Sequence, residues 1–351
     1  MFISENSLFN NTFARTIFNI DINLIMKIIR IMKKKVFYVM VLCMWLFSSC
    51  DKEDIGFKEP VVPPIEKPEE SDKPSISPFT DDLIRVKIDD DIMAIVGSND
   101  WQGVAYGNGK FVAVGRFNYV TSSTDGINWT TPVRVGTSHY INVTYGNGKF
   151  VAVGNYVATS TDGINWTTPE RIENQIWYDI IYANNKFVMV GYNGLICTST
   201  DGINWASKKV GDKVWQGVAY GNGKFAVVGS YGLTSSSTDG VNWTTPKEVN
   251  EGDTNIWTAV GYGNGKFIAI GWDSSIISST DGVNWTTPKK VGDTVWRGIV
   301  FDGEKFIVVG NGGLATTSTD GVNWTAPKQL KDEKGDVIDS GLYAICIGTV
   351  N

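Results

Sequence analysis

An all-β ring of small four-stranded sheets, a β-propeller, is the fold that this sequence predicts, on three observations. A single unit is written six times between Trp101 and Lys328: WQGVAYGNGKFVAVG, a few variable residues, then STDGINWTTP. A unit of about 40 residues cannot bury its own apolar face and has to stack on its neighbours. Two turn formers recur inside each copy, Asn-Gly and Asp-Gly, and both tolerate the positive φ of tight hairpins. Helical periodicity is absent throughout, while Gly (38) and Trp (13) are both abundant for 351 residues, as suits many short strands joined by tight turns.

The copies align on the aromatic that opens each one: Trp101, Tyr140, Trp177, Trp215, Trp257 and Trp296. Successive steps are 39, 37, 38, 42 and 39 residues. In the first copy four strand-like runs follow, Gly103–Tyr106, Lys110–Val114, Val120–Ser123 and Trp129–Val135. Gly107-Asn108-Gly109 joins the first pair, and Asp125-Gly126 the last. Copies three and six depart to Asn184-Asn185 and Asp302-Gly303, which are still turn formers. Four antiparallel strands per copy is the size of a propeller blade.

The flanks 81–100 and 335–351 together number 37 residues, close to one more repeat. Val96-Gly97 matches Val210-Gly211, the end of a fourth strand, and Leu342–Gly348 matches Trp257–Gly263, a first strand. A seventh blade shared by the two ends would close the ring and remove its sheet edges. Its second strand has no evident source, so six blades with the ends packed on as extras is the alternative.

The N-terminal region has a different character. Lys33, Lys34 and Lys35 precede an apolar run from Val36 to Phe47, too short for the ~20 residues of a membrane span but suited to a signal-peptide core. Leu46-Phe47-Ser48-Ser49-Cys50 resembles a bacterial lipobox, which implies cleavage before Cys50 and acylation of its thiol. Residues 1–31 do not fit a signal, and a start at Met32 or Met26 is expected. Residues 32–49 then form the signal peptide. Asp51-Lys52-Glu53-Asp54 resembles the acidic export signal of some surface lipoproteins. Residues 50–80 carry Pro60, Pro63, Pro64, Pro68, Pro74 and Pro78, an extended stalk, before the propeller at 81–351. The expected location is the cell-surface side of an outer membrane.

Ser123-Thr124-Asp125-Gly126-Ile127-Asn128-Trp129 resembles the Asp-box (BNR) repeat, with Gly directly after Asp in all six copies. The other copies centre on Asp162, Asp201, Asp239, Asp281 and Asp320. The resemblance implies a propeller in which these six aspartates are structural turn residues on the face away from any active site. It does not imply one function, since Asp-box propellers include sialidases, other glycosidases, sorting receptors and assembly factors.

Several chemistries are excluded or poorly served. A net charge of -6 argues against nucleic acid. The one histidine, His139, leaves little for serine-hydrolase or His-metal arrangements. Cys197 and Cys346 remain after Cys43 and Cys50, and they read as free thiols. GNGKF lacks the Ser/Thr and spacing of a phosphate loop. The arginine triad of a sialidase is not found. No cofactor, metal or catalytic constellation is therefore expected.

What varies between copies lies on the rim opposite the repeated turns. The loops after the second strands hold Arg116, Phe117 and Tyr119; Asn155 and Tyr156; Tyr192 and Asn193; Tyr231; Trp272 and Asp273; and Asn311. Each opening aromatic is followed by a variable residue: Gln102, Ile141, Tyr178, Gln216, Thr258, Arg297. The third strand position is small in most copies but Asn142 and Asp179 in two adjacent ones. The candidate ligand-binding set is Arg116, Asn142, Tyr156, Asp179, Tyr192, Tyr231, Trp272, Asp273 and Arg297. Aromatics among amides, Asp and Arg suit the C–H faces and hydroxyls of sugars. The expectation is a monomeric, non-enzymatic glycan-binding lipoprotein. An envelope protein as partner is the alternative, and a hydrolase using Asp179 and Asp273 a third reading.

Overall fold

The computed structural model describes residues 83–88, 92–97 and 100–348, apart from Asp253 and Glu333. The start-site, signal, Cys50 and stalk expectations lie outside the described residues. The rest is an all-β propeller. Each of the six repeats forms its own antiparallel sheet in simple sequence order.

The inner strands are Trp101–Gly107, Tyr140–Gly146, Trp177–Ala183, Trp215–Gly221, Trp257–Gly263 and Trp296–Phe301. They stand side by side around the axis. In the first five blades the second strand follows after a two-residue hairpin turn, for example Lys110–Gly115 in the first, while in the sixth four residues, 302–305, make the connection. In the first blade Asn108 and Gly109 both take positive φ, 49° and 71°. Fourth strands are shorter than expected: Val133–Arg134 replaces the run Trp129–Val135. Trp129 makes only a bridge to Ser123, because the Asp-box turn occupies its neighbours. In the second blade the fourth strand is reduced to one bridge, Val157 to Glu170.

Both chain ends build a seventh, three-stranded sheet, in which Ile92–Gly97 lies between Leu83–Ile88 and Ala344–Cys346. Ala344–Cys346 is the inner strand, set between the first and sixth blades. Val96 and Gly97 pair with Ile345 and Ala344. They therefore occupy the second-strand place, not the end of a fourth strand, and this supplies the strand that had no evident source. Val86 bridges Asp332 on the outer side.

The core is a series of apolar seams between neighbouring blades. In one seam, Val112, Val114 and Val120 of the first blade meet Tyr140, Val143 and Phe150 of the second. The terminal sheet is sealed on both flanks. Ile307, Val309 and Ala315 pack with Leu342 and Ile345 on one side, and Trp101 and Phe111 with Ala344 and Cys346 on the other. All six opening aromatics are buried. Several are tied to a carbonyl five residues upstream, as Trp215 Nε1 donates to Val210 O at 2.9 Å. These rings hold blades together.

A second seam runs along the turn side. Lys110, Lys149, Lys186, Lys224 and Lys266, each from a GNGK-type turn, donate through Nζ to the main-chain carbonyl of the Asp-box aspartate in the next blade, at 2.6–3.3 Å. Within each box the aspartate is an internal cap. Asp201 Oδ1 accepts from the N–H groups of Ile203 and Asn204 at 2.8 Å, and Oδ2 from Asn204 Nδ2. The main-chain N–H of Asn204, followed by its side chain, pulls the Asp201 pKa well below the usual carboxylate range. Asp125, Asp162, Asp239, Asp281 and Asp320 repeat this pattern. In all six copies the aspartate therefore caps the backbone of its own turn.

Candidate functional site: the channel mouth

Every one of the six inner strands slips register between its first and third residues. Trp177 pairs with Gly191 and Asp179 with Val190, which leaves Tyr178 unpaired. A bulge of this kind re-aims a side chain. The six bulged residues are Gln102, Ile141, Tyr178, Gln216, Thr258 and Arg297, and all of them line one cavity of about 510 Å3. Tyr343, immediately before the terminal strand, also lines it, and follows buried Leu342 as Thr258 follows Trp257 in the sequence. Each of the six repeats thus contributes its bulged, variable side chain to the cavity, and Tyr343 joins them.

Asn142 and Asp179 also line it. They are bonded to each other and to the backbone. Asn142 Nδ2 donates to Asp179 Oδ1 at 2.5 Å, Ile180 N–H donates to the same oxygen at 2.8 Å, and Val218 N–H donates to Oδ2 at 2.8 Å. Asn142 Oδ1 accepts from Val143 N–H at 2.7 Å. The fourth blade has Gly217 where Asp179 stands in the third, so the neighbouring carboxylate reaches across to serve its amide. Burial pushes the Asp179 pKa up to about 6, against the pull of these three donors. Thr258 is also committed, to Ile270 O and Trp296 O.

Arg297 differs. Its Nε donates to Asn311 Oδ1 at 3.3 Å, and its Cζ lies over the rings of Trp272 (5.4 Å) and Tyr343 (4.9 Å). Trp272 belongs to a rim loop and lines the cavity too, so it joins the two regions.

The remaining predicted residues sit on the rim outside the cavity. Phe117, Tyr192 and Tyr231 come from three different blades and are each 51–53% exposed. Phe117 and Tyr231 are held at φ of 57° and 61°, a strained conformation for a bulky residue. Cations cover several rim rings: Arg134 over Tyr119, Arg171 over Tyr156 and Lys213 over Tyr231, at 5.0–5.4 Å. Arg116 is exposed beside Phe117, whose N–H donates to His139 Nδ1 at 2.7 Å. Asp273 is an internal cap, accepting from Ser275 N–H and Oγ at 3.1 and 2.9 Å. It does not line the cavity with Asp179. Sequence reasoning passed over Tyr343, although the match of Leu342–Gly348 to Trp257–Gly263 aligns it with Thr258.

No family model matches the chain, and no curated protein matches it. Solved structures do. One described as YCF48 bound to D1 peptide is 17% identical, with a TM-score of 0.56 over 76% of this chain and 92% of that one. YCF48 from Cyanidioschyzon merolae is 14% identical, with a TM-score of 0.52 over 75% and 97%. A selenomethionine-substituted virginiamycin B lyase from Staphylococcus aureus is 12% identical, with a TM-score of 0.55 over 65% and 84%. At these identities the likeness establishes the propeller fold.

Proposed function

We propose that this chain is a non-catalytic binding protein that grips a segment of another protein at the channel mouth. The observation that carries the reading is the ring of bulge residues: six repeats share one scaffold and differ where they face one cavity. A repeated scaffold with a variable mouth suits recognition. The lipobox-like segment and Pro-rich stalk support its placement as a lipid-anchored, monomeric propeller at the outer surface of an envelope. One similar fold is described as bound to a peptide, which is in keeping with a protein ligand.

Cations lie over Tyr119, Tyr156, Tyr231, Trp272 and Tyr343, and this lowers the weight of a bare stacking platform for sugars. A glycan remains the second reading, on the half-exposed Trp272, which lines the same cavity as Gln216 and Tyr178.

Quantitative co-purification from envelope extracts tests the first reading. A protein retained by the wild type should be lost with Tyr178→Ala/Trp272→Ala and kept with Asn128→Ala/Asn204→Ala on the opposite rim. Equal retention by both variants would contradict the site.

A further inference from the structure

The mouth contains one cation that the fold leaves without a counter-charge. Arg297 lines the cavity, and among the described residues no carboxylate pairs with it. The one carboxylate among the cavity-lining residues, Asp179, is already bound by three N–H donors. Burial draws the Arg297 pKa below its usual value, against the opposing pull of Tyr343. An arginine does not give up its proton in a protein, so it stays charged.

The geometry also selects the shape of what it binds. Asn311 holds Nε, and the rings of Trp272 and Tyr343 lie beneath the guanidinium. The terminal nitrogens have no acceptor among the described residues. A planar fork held in this way matches a carboxylate, which it can bind through two parallel hydrogen bonds. Gln216 in the same lining offers an amide to a peptide group.

We infer that Arg297 receives a carboxylate of the polypeptide ligand, either the chain end or an acidic side chain. The inference rests on the peptide reading above. The probes are three short peptides: acetyl-Ala-Ala-Ala with a free carboxyl end, acetyl-Ala-Glu-Ala-amide and the neutral acetyl-Ala-Gln-Ala-amide. Glucuronate is the fourth. They are titrated into the full chain, and the indole N–H signal of Trp272, assigned with Trp272→Phe, is followed by NMR.

One or both acidic peptides should shift the signal saturably, at least about tenfold more tightly than the neutral one. The stronger of the two identifies the source of the carboxylate. Arg297→Gln should remove the preference and Arg297→Lys should keep part of it, while the other indole signals report that each variant folds. Equal binding of the neutral peptide would overturn the carboxylate inference and leave the peptide reading intact. Binding of glucuronate alone, or of nothing, would overturn both.

Discussion

Lys149 of the second blade donates its ammonium to the main-chain carbonyl of Asp201 in the third at 2.8 Å. The contact explains why two motifs that look independent in the sequence, GNGK and STDG, recur together. The hairpin of one blade is the clip for the box of the next. Removing one clip by Lys149→Met should lower stability by about 1 kcal/mol, the net value of a hydrogen bond, as read by denaturant unfolding.

The two glycines that flank Asn147, Gly146 and Gly148, should respond differently to the same change. A Cβ on Gly146 would stand 2.0 Å from Cγ of Tyr182 in the next blade, whereas Gly148 has open space around it and φ of +74°. Gly146→Ala should cost several kcal/mol through displaced packing. Gly148→Ala should cost about 1–2 kcal/mol, from backbone conformation alone. Comparable losses would refute the assignment of that glycine to the blade seam.

The Asp-box carboxylates make stability depend on pH in acid. Their folded pKa values are depressed, so their contribution is present above the unfolded value of 3.8 and is lost as pH falls through and below it. The thermal midpoint should drop between about pH 5 and pH 2. Replacing Asp162 and Asp239 by Asn should flatten that slope.

Asp179 works with the opposite sign. Its folded pKa is raised from 3.8 to about 6. Relative to a neutral residue it favours folding below pH 3.8, and that advantage is lost as pH rises through about 6. Asp179→Ala would strand the donors of Asn142, Ile180 and Val218, at a cost of about 3 kcal/mol. The deficit of this variant should be smaller at pH 7 than at pH 4.5. A pH-independent deficit would contradict the assigned shift.

The propeller was legible because its evidence is repetition, which survives any ambiguity in a single strand. The terminal sheet was harder. Val-Gly ends both second strands, as at Val114-Gly115, and the fourth-strand run at Val210-Gly211, so Val96-Gly97 fitted either place. Only pairing with Ala344 and Ile345 decides it. The rim was found from sequence variation, but the cavity lining was less visible. Alternation with period two cannot register a bulge, and the slip at Trp177/Asp179 is what frees Tyr178. Asn142 and Asp179 stood out as polar residues in small positions, and their mutual bond could not be read from spacing alone.

The claim that recognition resides in the variable mouth is tested most directly by a photo-crosslinking residue placed at position 216, compared with one at position 264 on the turn side, in cells that naturally make the chain. The account predicts a discrete adduct from position 216 only, with a peptide attached when the product is digested and sequenced by mass spectrometry. Adducts of equal yield from position 264, or a sugar in place of the peptide, would contradict it.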